Sequence, residues 1–344
     1  MSLMTDFTKH KAISRRDFIK ITAVAGGVLV GGKLVFDLTN EQFVTVEDSR
    51  FLMGTIINLA VVAESKAAGD AAITATFAEM ERQMAIFTHR ERESPVAILN
   101  RTGKFSKPPQ ELIVVLTQAM EISEMTDGAF DVTVKPLLDL YQQAQPDLPM
   151  AEAIEETLKL VDYTQLAVSS NEIAFRKPGM ALTLDGIAKG YIVDAGVTVL
   201  KRLGYDNVYV EAGGDLLASG MKEDDTPWKI GIRSPRESQL TLLAKINVSD
   251  QAVATSGDYF QYFSEDMRHH HIIDPRVGFS SPELASVTIL SGNALKSDAL
   301  ATALMVMGVD EGLNLLNSLP DVEGYLVSKS LNKYQSKGFK IKYQ

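Results

Sequence analysis

Regular patterns of hydrophobic and polar positions run through the chain from about residue 42 to its end. Residues 43–64 alternate between apolar and polar side chains, which predicts two strands with a break near residues 47–49. Farther along, apolar residues recur every three or four positions, which is typical of helices that bury one face. This spacing predicts helices at about 66–88, 109–126, 151–161 and 187–203.

The second half of the chain is rich in predicted strands, and two helices close it. Runs of β-branched and aromatic residues predict strands at 207–214, 228–233, 242–248, 251–257, 269–274 and 286–291. The closing helices are predicted at about 297–307 and 310–318. Helices and strands mix without a strict βαβ repeat, so the pattern favours an α+β fold. The glycine-rich segments contain neither the GxGxxG nor the P-loop pattern.

The first of these closing helices contains two polar side chains in an otherwise apolar stretch. Asp298 and Thr302 stand four residues apart, so they lie on one helix face, about one turn apart. One interpretation is structural: Ser297 or Asp298 caps the helix, and the Thr302 hydroxyl bonds to a backbone carbonyl. The other is that the carboxylate and the hydroxyl hold a hard cation. The segment alone favours the structural interpretation, because acids are common at helix starts.

Composition limits the possible functions. The 344 residues are 45% hydrophobic and 23% charged, which is ordinary for a globular protein with a sizeable core. A formal net charge of -10 argues against general nucleic-acid binding, because no basic surplus is present to replace counterions. The absence of cysteine excludes disulfides, thiolate metal sites and a cysteine nucleophile. A metal site must therefore use oxygen atoms or the few histidines, of which His269, His270 and His271 are consecutive.

Residues 1–37 are predicted to be an export signal and not part of the fold. Arg15 and Arg16 precede Phe18 and a short, glycine-diluted apolar run, which is typical of twin-arginine signals. That run is shorter than the roughly 20 residues of a membrane-spanning helix. We therefore expect a periplasmic protein, anchored to the membrane if the segment is not cleaved, with residues 42–344 as a single domain. The alternative is a basic, disordered start before a buried helix.

Four short segments are more polar and richer in glycine than their surroundings: TDGAFDVTVKPL (126–137), LTLDGIAKGYIVD (182–194), ATSGDYF (254–260) and HHHIIDPRVG (269–278). Each has a structural explanation, respectively a helix C-terminal turn, a strand-to-helix junction, a hairpin and a solvated strand end. Gly186, however, opens a predicted helix whose free N–H groups suit a phosphate, and Lys189 adds a positive charge one turn later. A pyrophosphate with a hard cation at Asp298 and Thr302 would use all these parts.

These segments carry a resemblance to a known family. Seven motifs follow one another across about residues 43–330: MGT (53–55), TDGAFDVTVKPL, DGIAKGYIVD, EAGGDLLASG, ATSGDYF, HHIIDPRVG and SDALATALMVMG. In this order they resemble the ApbE family, the periplasmic FAD:protein FMN transferases. The resemblance implies a T-fold-like α+β architecture with mixed helices and mainly antiparallel sheets.

The resemblance also implies an activity and a site. Such an enzyme binds FAD with Mg²⁺ at its pyrophosphate, releases AMP and attaches FMN through a phosphoester to a threonine of an acceptor protein in a respiratory electron-transfer complex. By motif position, the residues that line the FAD site are Met53, Ala129, Phe130, Asp131, Thr183, Lys189 and Ile272. The implied magnesium ligands are the Gly186 carbonyl, the Asp298 carboxylate and the Thr302 hydroxyl. Lys189 would offset charge on the phosphate oxygens, and His271 is the candidate general base.

The chain departs from the family pattern near the implied site. Where members read DLGGIAKG, this chain reads TLDGIAKG, so Thr183 stands in the position of the acid and Asp185 replaces a small residue. We count Asp185 among the catalytic candidates, because an acid moved two positions along the turn keeps a carboxylate near the metal or the ribose. The tyrosine that many members place near the flavin is missing, and Phe87 or His89 is expected to substitute for it.

Two other functions agree with the same residues. An FAD pyrophosphatase of this fold would use water in place of the threonine hydroxyl and release FMN and AMP. A non-catalytic periplasmic flavin-binding protein would hold FAD uncleaved. The first differs from the transferase only in which hydroxyl reaches the phosphorus, so an assay with an acceptor protein distinguishes them.

Overall fold

The computed structural model describes residues 43–237 and 241–341. Its helices are α1 (Lys66–Phe87), α2 (Pro95–Thr102), α3 (Gln110–Met125), α4 (Lys135–Ala144), α5 (Ala151–Leu158), α6 (Ala188–Arg202) and α7 (Ala294–Ser318). Its strands are β1 (Val44–Leu52), β2 (Thr55–Ala63), β3 (Lys104–Ser106), β4 (Leu166–Val168), β5 (Glu172–Phe175), β6 (Val208–Ala212), β7 (Asp215–Ser219), β8 (Trp228–Arg233), β9 (Leu242–Val248), β10 (Gln251–Gly257), β11 (Leu284–Ser291), β12 (Glu323–Ser328) and β13 (Lys333–Gln335). The predicted export signal lies outside the described residues.

In the described part of the chain, an eight-stranded antiparallel sheet separates two apolar cores. Its strand order is β1-β2-β6-β7-β10-β11-β12-β13. On one face, Leu59 of β2 belongs to the same core as Phe77 of α1. On the other face, Leu216 of β7 belongs to a second core with Trp228 of the β8–β9 hairpin. Because successive side chains of a strand point to opposite faces, one sheet serves both cores. The predicted α+β class is confirmed.

Helix α7 is a core helix. Its length and composition would allow it to cross a membrane, but most of it is buried, and it packs on β10 and β11. It starts after Asn293, whose side chain accepts a hydrogen bond from the Lys296 N–H. The prediction that Ser297 or Asp298 caps the helix is therefore wrong, because both residues are buried inside the helix. Gly308, with φ 80°, divides α7 into two parts, which agrees with the two closing helices predicted from the sequence.

The first hairpin turns later than predicted. Strand β1 continues through residues 47–49, and the chain turns at Met53 and Gly54, which have positive φ angles of 54° and 73°. A two-residue turn with positive φ at both positions matches the twist of the strands it joins. The polar residues Asp48 and Ser49 interrupt the apolar pattern without breaking the strand, because β1 is an edge strand of the sheet.

Residues 269–274 do not form the predicted strand. They take part only in isolated bridges, such as that between Tyr262 and His270. His270 is completely buried, and its Nε2 lies 3.0 Å from the Ser281 carbonyl oxygen. Its backbone N–H donates to Ser280 Oγ at 2.8 Å. The interpretation of this segment as a solvated strand end is therefore wrong at His270. Its side chain and its backbone N–H are both hydrogen-bonded to the loop at Ser280 and Ser281.

Several strand ends meet at one edge of the large sheet. Ala212 at the end of β6 pairs with both Ile57 of β2 and Asp215 of β7. Gly257 at the end of β10 pairs with Ser286 near the start of β11. Of the four polar, glycine-containing segments, ATSGDYF leaves β10 at this edge and HHHIIDPRVG lies in the connection from β10 to β11, whereas the other two adjoin helices α3 and α6.

Candidate active site

Lys189 lies between two buried carboxylates at this edge. It occupies the first turn of α6, and its Nζ contacts Asp215 Oδ2 at the start of β7. The same Nζ lies 3.6 Å from Asp298 Oδ1 on α7. Asp215 is 1% exposed and Asp298 is 3% exposed. The backbone holds both acids in place, because the Thr255 N–H donates to Asp215 and the Gly190 N–H donates to Asp298.

The electrostatics of this cluster leave one negative charge uncompensated. Burial alone would lower the pKa of Lys189, but the Asp215 and Asp298 carboxylates raise it above its ordinary value. Burial raises the pKa of Asp298 to about 7, against the opposing effect of Lys189. Since two carboxylates face one ammonium group, the cluster gains stability from a further cation or from taking up a proton.

Asp194 and Gly190 hold helices α6 and α7 together at the site. The Asp194 carboxylate accepts hydrogen bonds from the N–H groups of Ala294 and Leu295, at 2.7 and 2.9 Å. Burial raises the pKa of Asp194 to about 6, while the two N–H donors favour its charged form. A Cβ on Gly190 would stand 2.2 Å from the Ala294 carbonyl oxygen, so only glycine allows this approach. Asp298, one turn along α7, is thereby fixed against Lys189.

Thr302 and Gly186 extend the cluster with further oxygen atoms. The Thr302 hydroxyl lies 3.1 Å from Ser256 Oγ, not on a carbonyl of its own helix, so the predicted back-bonding is absent. A Cβ built on Gly186 would stand 3.1 Å from Thr302 Oγ1, which puts the Gly186 backbone against this hydroxyl. The structure therefore brings together the predicted ligands Gly186, Asp298 and Thr302.

Asp215 and Ser256 are site residues that the sequence reasoning did not assign. Both stand in quoted motifs, EAGGDLLASG and ATSGDYF. The sequence signal for Asp215 is an acid at the start of the strand DLLAS, whose other residues are apolar or small. In the structure every residue of this strand is buried. Ser256 is distinguished only by its position opposite α7, which the fold alone reveals.

The residues predicted to line the FAD site are mostly buried at the same edge. Ala129, Phe130, Asp131, Thr183 and Ile272 are each less than 10% exposed. The Phe130 ring lies 3.4 Å from a Cβ built on Gly186, beside the Thr302 hydroxyl. Met53, in the first hairpin turn, is partly exposed.

The Asp131 carboxylate accepts hydrogen bonds from backbone N–H groups. Its Oδ1 accepts hydrogen bonds from the Thr133 N–H and hydroxyl, both at 2.7 Å, and its Oδ2 accepts from the Tyr163 N–H at 2.9 Å. Burial raises the pKa of Asp131, and these three donors oppose the rise. The neighbouring Thr183 N–H donates to the Val132 carbonyl, so this turn lies against the residues that precede the DGIAKG segment. Asp131 therefore shapes the site through the backbone.

Asp185 points toward the loop that follows α1. Its carboxylate lies 3.6 Å from Arg90 Nη2 and 4.0 Å from His89 Nδ1, and its side chain is 58% exposed. Its backbone N–H donates to Thr183 Oγ1 at 3.3 Å, so the two positions of the sequence departure contact each other. Of the two rings expected to replace the missing tyrosine, Phe87 is buried against Tyr191, whereas His89 faces Asp185.

One ring nitrogen of His271 makes a hydrogen bond, and the other has no hydrogen-bond partner among the described residues. Its Nδ1 lies 2.9 Å from the Gln261 carbonyl oxygen, which requires a proton on Nδ1 and leaves the lone pair on Nε2. Burial lowers the pKa of His271 below its ordinary value, and the Gln261 carbonyl and the Asp185 charge partly oppose this. The imidazole is therefore neutral near pH 7 and able to accept a proton.

The comparisons with known proteins agree with this architecture. The sequence model of the ApbE family matches residues 53–326. The FAD:protein FMN transferase of Vibrio cholerae serotype O1 is 32% identical over 268 residues, which cover 76% of this chain and 77% of the relative. That of Treponema pallidum is 28% identical over 302 residues, covering 81% and 83%.

Solved structures give the same result. The crystal structure of the ApbE protein of Thermotoga maritima matches with a TM-score of 0.77 and 31% identity, covering 86% of this chain and 97% of that one. The apo flavinyl transferase ApbE of Pseudomonas stutzeri matches with a TM-score of 0.77 and 28% identity, covering 88% and 97%. The chain belongs to the ApbE family.

Proposed function

We propose that this protein transfers FMN from FAD to a threonine hydroxyl of an acceptor protein and releases AMP. Its relatives are named FAD:protein FMN transferases. The observation that carries the proposal is the Lys189 ammonium group, placed between Asp215 and Asp298 where strand ends and two helices meet. Phosphoryl transfer needs such an arrangement, because it depends on positioning and charge neutralisation more than on covalent help.

In the reaction one phosphorus–oxygen bond forms, another breaks, and one proton is transferred. The threonine oxygen attacks the phosphorus of the FMN half, the bond from this phosphorus to the bridging oxygen breaks, and AMP leaves with that electron pair. His271 takes the hydroxyl proton on Nε2, since its Nδ1 is already bonded to the Gln261 carbonyl. Lys189 offsets the negative charge that develops on the bridging oxygen and the phosphates.

The donor set fits Mg²⁺, and we propose that Gly186, Asp298 and Thr302 hold it. The Asp215 and Asp298 carboxylates exceed the single Lys189 charge by one, which favours a cation. The Thr302 hydroxyl and the Gly186 backbone lie together one turn from Asp298. Carboxylate, hydroxyl and carbonyl oxygens are the ligands this hard ion prefers. When bound, Mg²⁺ supplies further neutralisation of the phosphate charge.

The flavin site is proposed along the buried wall formed by Ala129, Phe130, Thr183 and Ile272, with Met53 at its rim. In this arrangement Asp131 fixes the wall through its backbone hydrogen bonds. His89 is the ring that replaces the missing tyrosine, because Phe87 is already packed in the core.

The acceptor is proposed to be a protein of a respiratory electron-transfer complex, met in the periplasm after twin-arginine export. The support is the Arg15–Arg16 pair and the apolar run that follows it. Changing both arginines to lysine should retain the protein in the cytoplasm. Normal periplasmic delivery of that variant would contradict the proposed route.

An acceptor assay tests the proposed function. The purified protein is incubated with FAD, Mg²⁺ and a candidate acceptor domain, and flavin fluorescence of the acceptor is measured in a denaturing gel. Fluorescence on the acceptor band that disappears when its target threonine is changed to alanine supports transfer. Free FMN without a labelled acceptor would instead indicate an FAD pyrophosphatase. FAD that remains uncleaved would indicate a flavin-binding protein.

A further inference from the structure

A second charged cluster lies beside the proposed active site. Asp258, directly after β10, is completely buried. Arg236, after β8, binds both of its carboxylate oxygens through two N–H groups, at 2.7 and 2.6 Å. Lys329, after β12, lies 3.9 Å from the same carboxylate. Both cationic side chains remain 20% exposed, so one buried acid orients two cations toward solvent.

Positive charge exceeds negative charge in this cluster. Burial lowers the pKa of Lys329, and Arg236 and Arg268 lower it further, against the opposing charges of Asp258 and Asp266. These groups amount to three cations and two carboxylates. The excess stands out because the whole chain has a formal net charge of -10. A positive excess at partly buried groups is relieved when an anion binds there.

Arg233 adds a cation at the end of β8, and its charge acts on one buried carboxylate, Glu211: burial raises the pKa of Glu211, and Arg233 opposes that rise. The half-buried side chain of Arg233 makes no hydrogen bond or ion pair in the described part of the chain. Arg233 stands three residues before Arg236, which binds Asp258. Burial raises the pKa of Tyr259 to about 12, and the charges of Arg233 and Arg236 both oppose that rise. An unpaired, half-buried guanidinium group is costly unless a ligand completes its hydrogen bonds.

The cluster borders the loop that carries the candidate base. The Lys329 ammonium donates to the Met267 carbonyl at 3.2 Å, four residues before His271. Burial lowers the pKa of His271, and Asp258 is among the charges that act on it. A ligand group at the cluster is therefore next to the reacting centre and separate from the Lys189–Asp298 pair.

The geometry points to an oxyanion subsite formed by Arg233, Arg236 and Lys329 and organised by Asp258. It takes a phosphate or carboxylate group, which paired guanidinium and ammonium donors bind well. This inference rests on the proposed function, which supplies two sources of such a group. They are the phosphate of AMP and carboxylate side chains of the acceptor next to the target threonine.

Two variants test the subsite, with a matched control. Arg233→Gln removes a positive charge without breaking a hydrogen bond or ion pair among the described residues, and Lys329→Met removes the ammonium group but keeps the length of the side chain. Lys66→Gln removes an equally positive charge from an exposed position on α1, 78% accessible at its side chain. Calorimetry measures AMP binding, and a separate titration without FAD measures the affinity for the acceptor domain. Melting temperature reports the fold.

We expect both cluster variants to weaken one of the two affinities about tenfold, the low end for a hydrogen bond to a charged group. Weaker AMP binding identifies the phosphate as the ligand, and weaker acceptor binding identifies carboxylates. Lys66→Gln should change neither. If Arg233→Gln keeps its melting temperature and both affinities within twofold of the wild type, the subsite does not exist. Should the wild type bind AMP but label no acceptor, the transferase proposal fails while the AMP titration still decides the subsite.

Discussion

The Gly190 N–H donates a hydrogen bond to Asp298 Oδ2 at 3.0 Å, and this bond joins α6 to α7 at the proposed reaction centre. Lys189, one residue earlier, reaches the other oxygen of the same carboxylate. One acid therefore receives a backbone donor and an ammonium group from consecutive residues of α6. The close approach of the helices that this requires is possible because Gly190 has no side chain.

Gly190→Ala should lower both stability and activity. Its Cβ would meet the Ala294 carbonyl oxygen at 2.2 Å, so the helices must separate, at a cost of about 1–3 kcal/mol for overpacking. Separation also moves Asp298 from Lys189, so FAD cleavage should fall. Thermal denaturation and AMP release measure the two effects. Gly312→Ala is the control, because its Cβ meets no atom closer than 3.4 Å. Unchanged stability and turnover in Gly190→Ala would contradict this description of the helix contact.

Asp298→Asn should abolish Mg²⁺-dependent FAD cleavage and keep the fold. The amide oxygen can still accept the Gly190 hydrogen bond, but the negative charge that faces Lys189 and the proposed ion is lost. We expect at least about a 100-fold lower rate, as for removal of one charge-stabilising group. Asp310→Asn, an exposed acid on the second part of α7, is the matched control. Near-normal turnover of Asp298→Asn at saturating Mg²⁺ would show that the ligand assignment is wrong.

Thr302→Val should have a milder effect. Valine keeps the shape of the side chain but removes the hydroxyl that lies 3.1 Å from Ser256 Oγ. A water molecule can replace one neutral ligand, since Mg²⁺ normally retains several waters. The Mg²⁺ concentration for half-maximal FAD cleavage should therefore rise, while the rate at saturation falls less than in Asp298→Asn. Equal losses in the two variants would argue that Thr302 does more than supply a neutral oxygen.

The loss of activity at acidic pH should reflect the protonation of His271. The base must be neutral, and burial lowers its pKa below the ordinary value of 6.5. At saturating Mg²⁺, which favours the ionised form of Asp298, activity should therefore be full above pH 6.5 and fall only at lower pH, as the imidazole takes up a proton. His271→Ala should remove this pH dependence and most of the transfer. His269→Ala should keep it. A loss of activity at acidic pH that survives in His271→Ala would assign the base to another group.

The pair Thr183 and Asp185 should be coupled if Asp185 has taken over the role of the family's acid. Asp185→Gly should weaken FAD or Mg²⁺ binding, and Thr183→Asp combined with Asp185→Gly should restore much of it. The Asp185 N–H already contacts Thr183 Oγ1, so a coupling of roughly 0.5–3 kcal/mol is expected. Affinity and melting temperature are measured for both single variants and the double. A lower melting temperature with unchanged affinities would make Asp185 a structural residue that holds His89 and Arg90.

The sequence was most informative where local rules decide the structure. The 3.6-residue spacing predicted α1, α3, α5, α6 and both parts of α7, because an amphipathic helix shows its buried face in the pattern. It was misleading at residues 47–49, where polar side chains on an edge strand resembled a turn. Helices α2 and α4 were not predicted: α2 follows a run of polar residues, and α4 begins inside segment 126–137, for which the sequence offered a helix C-terminal turn.

Pairs of distant residues explain what the pattern missed at the site. Asp298 looked like a helix cap because its burial depends on α6, more than 100 residues away, and not on its own helix. Asp215 acquires its role only when β7 pairs with β6 and β10, which brings it to Lys189. Family motifs indicated these segments, but the partner of each side chain became known only from the fold.

The ratio of released AMP to acceptor-bound flavin distinguishes transfer from hydrolysis in a single reaction. Both products are measured in the same reaction with FAD and Mg²⁺, AMP by chromatography and the flavinylated acceptor by intact-protein mass spectrometry. If the protein transfers FMN, we expect one AMP for each FMN attached to the acceptor threonine, little free FMN, and loss of both products in Asp298→Asn. AMP matched by free FMN, with an unmodified acceptor, would contradict the proposed transfer.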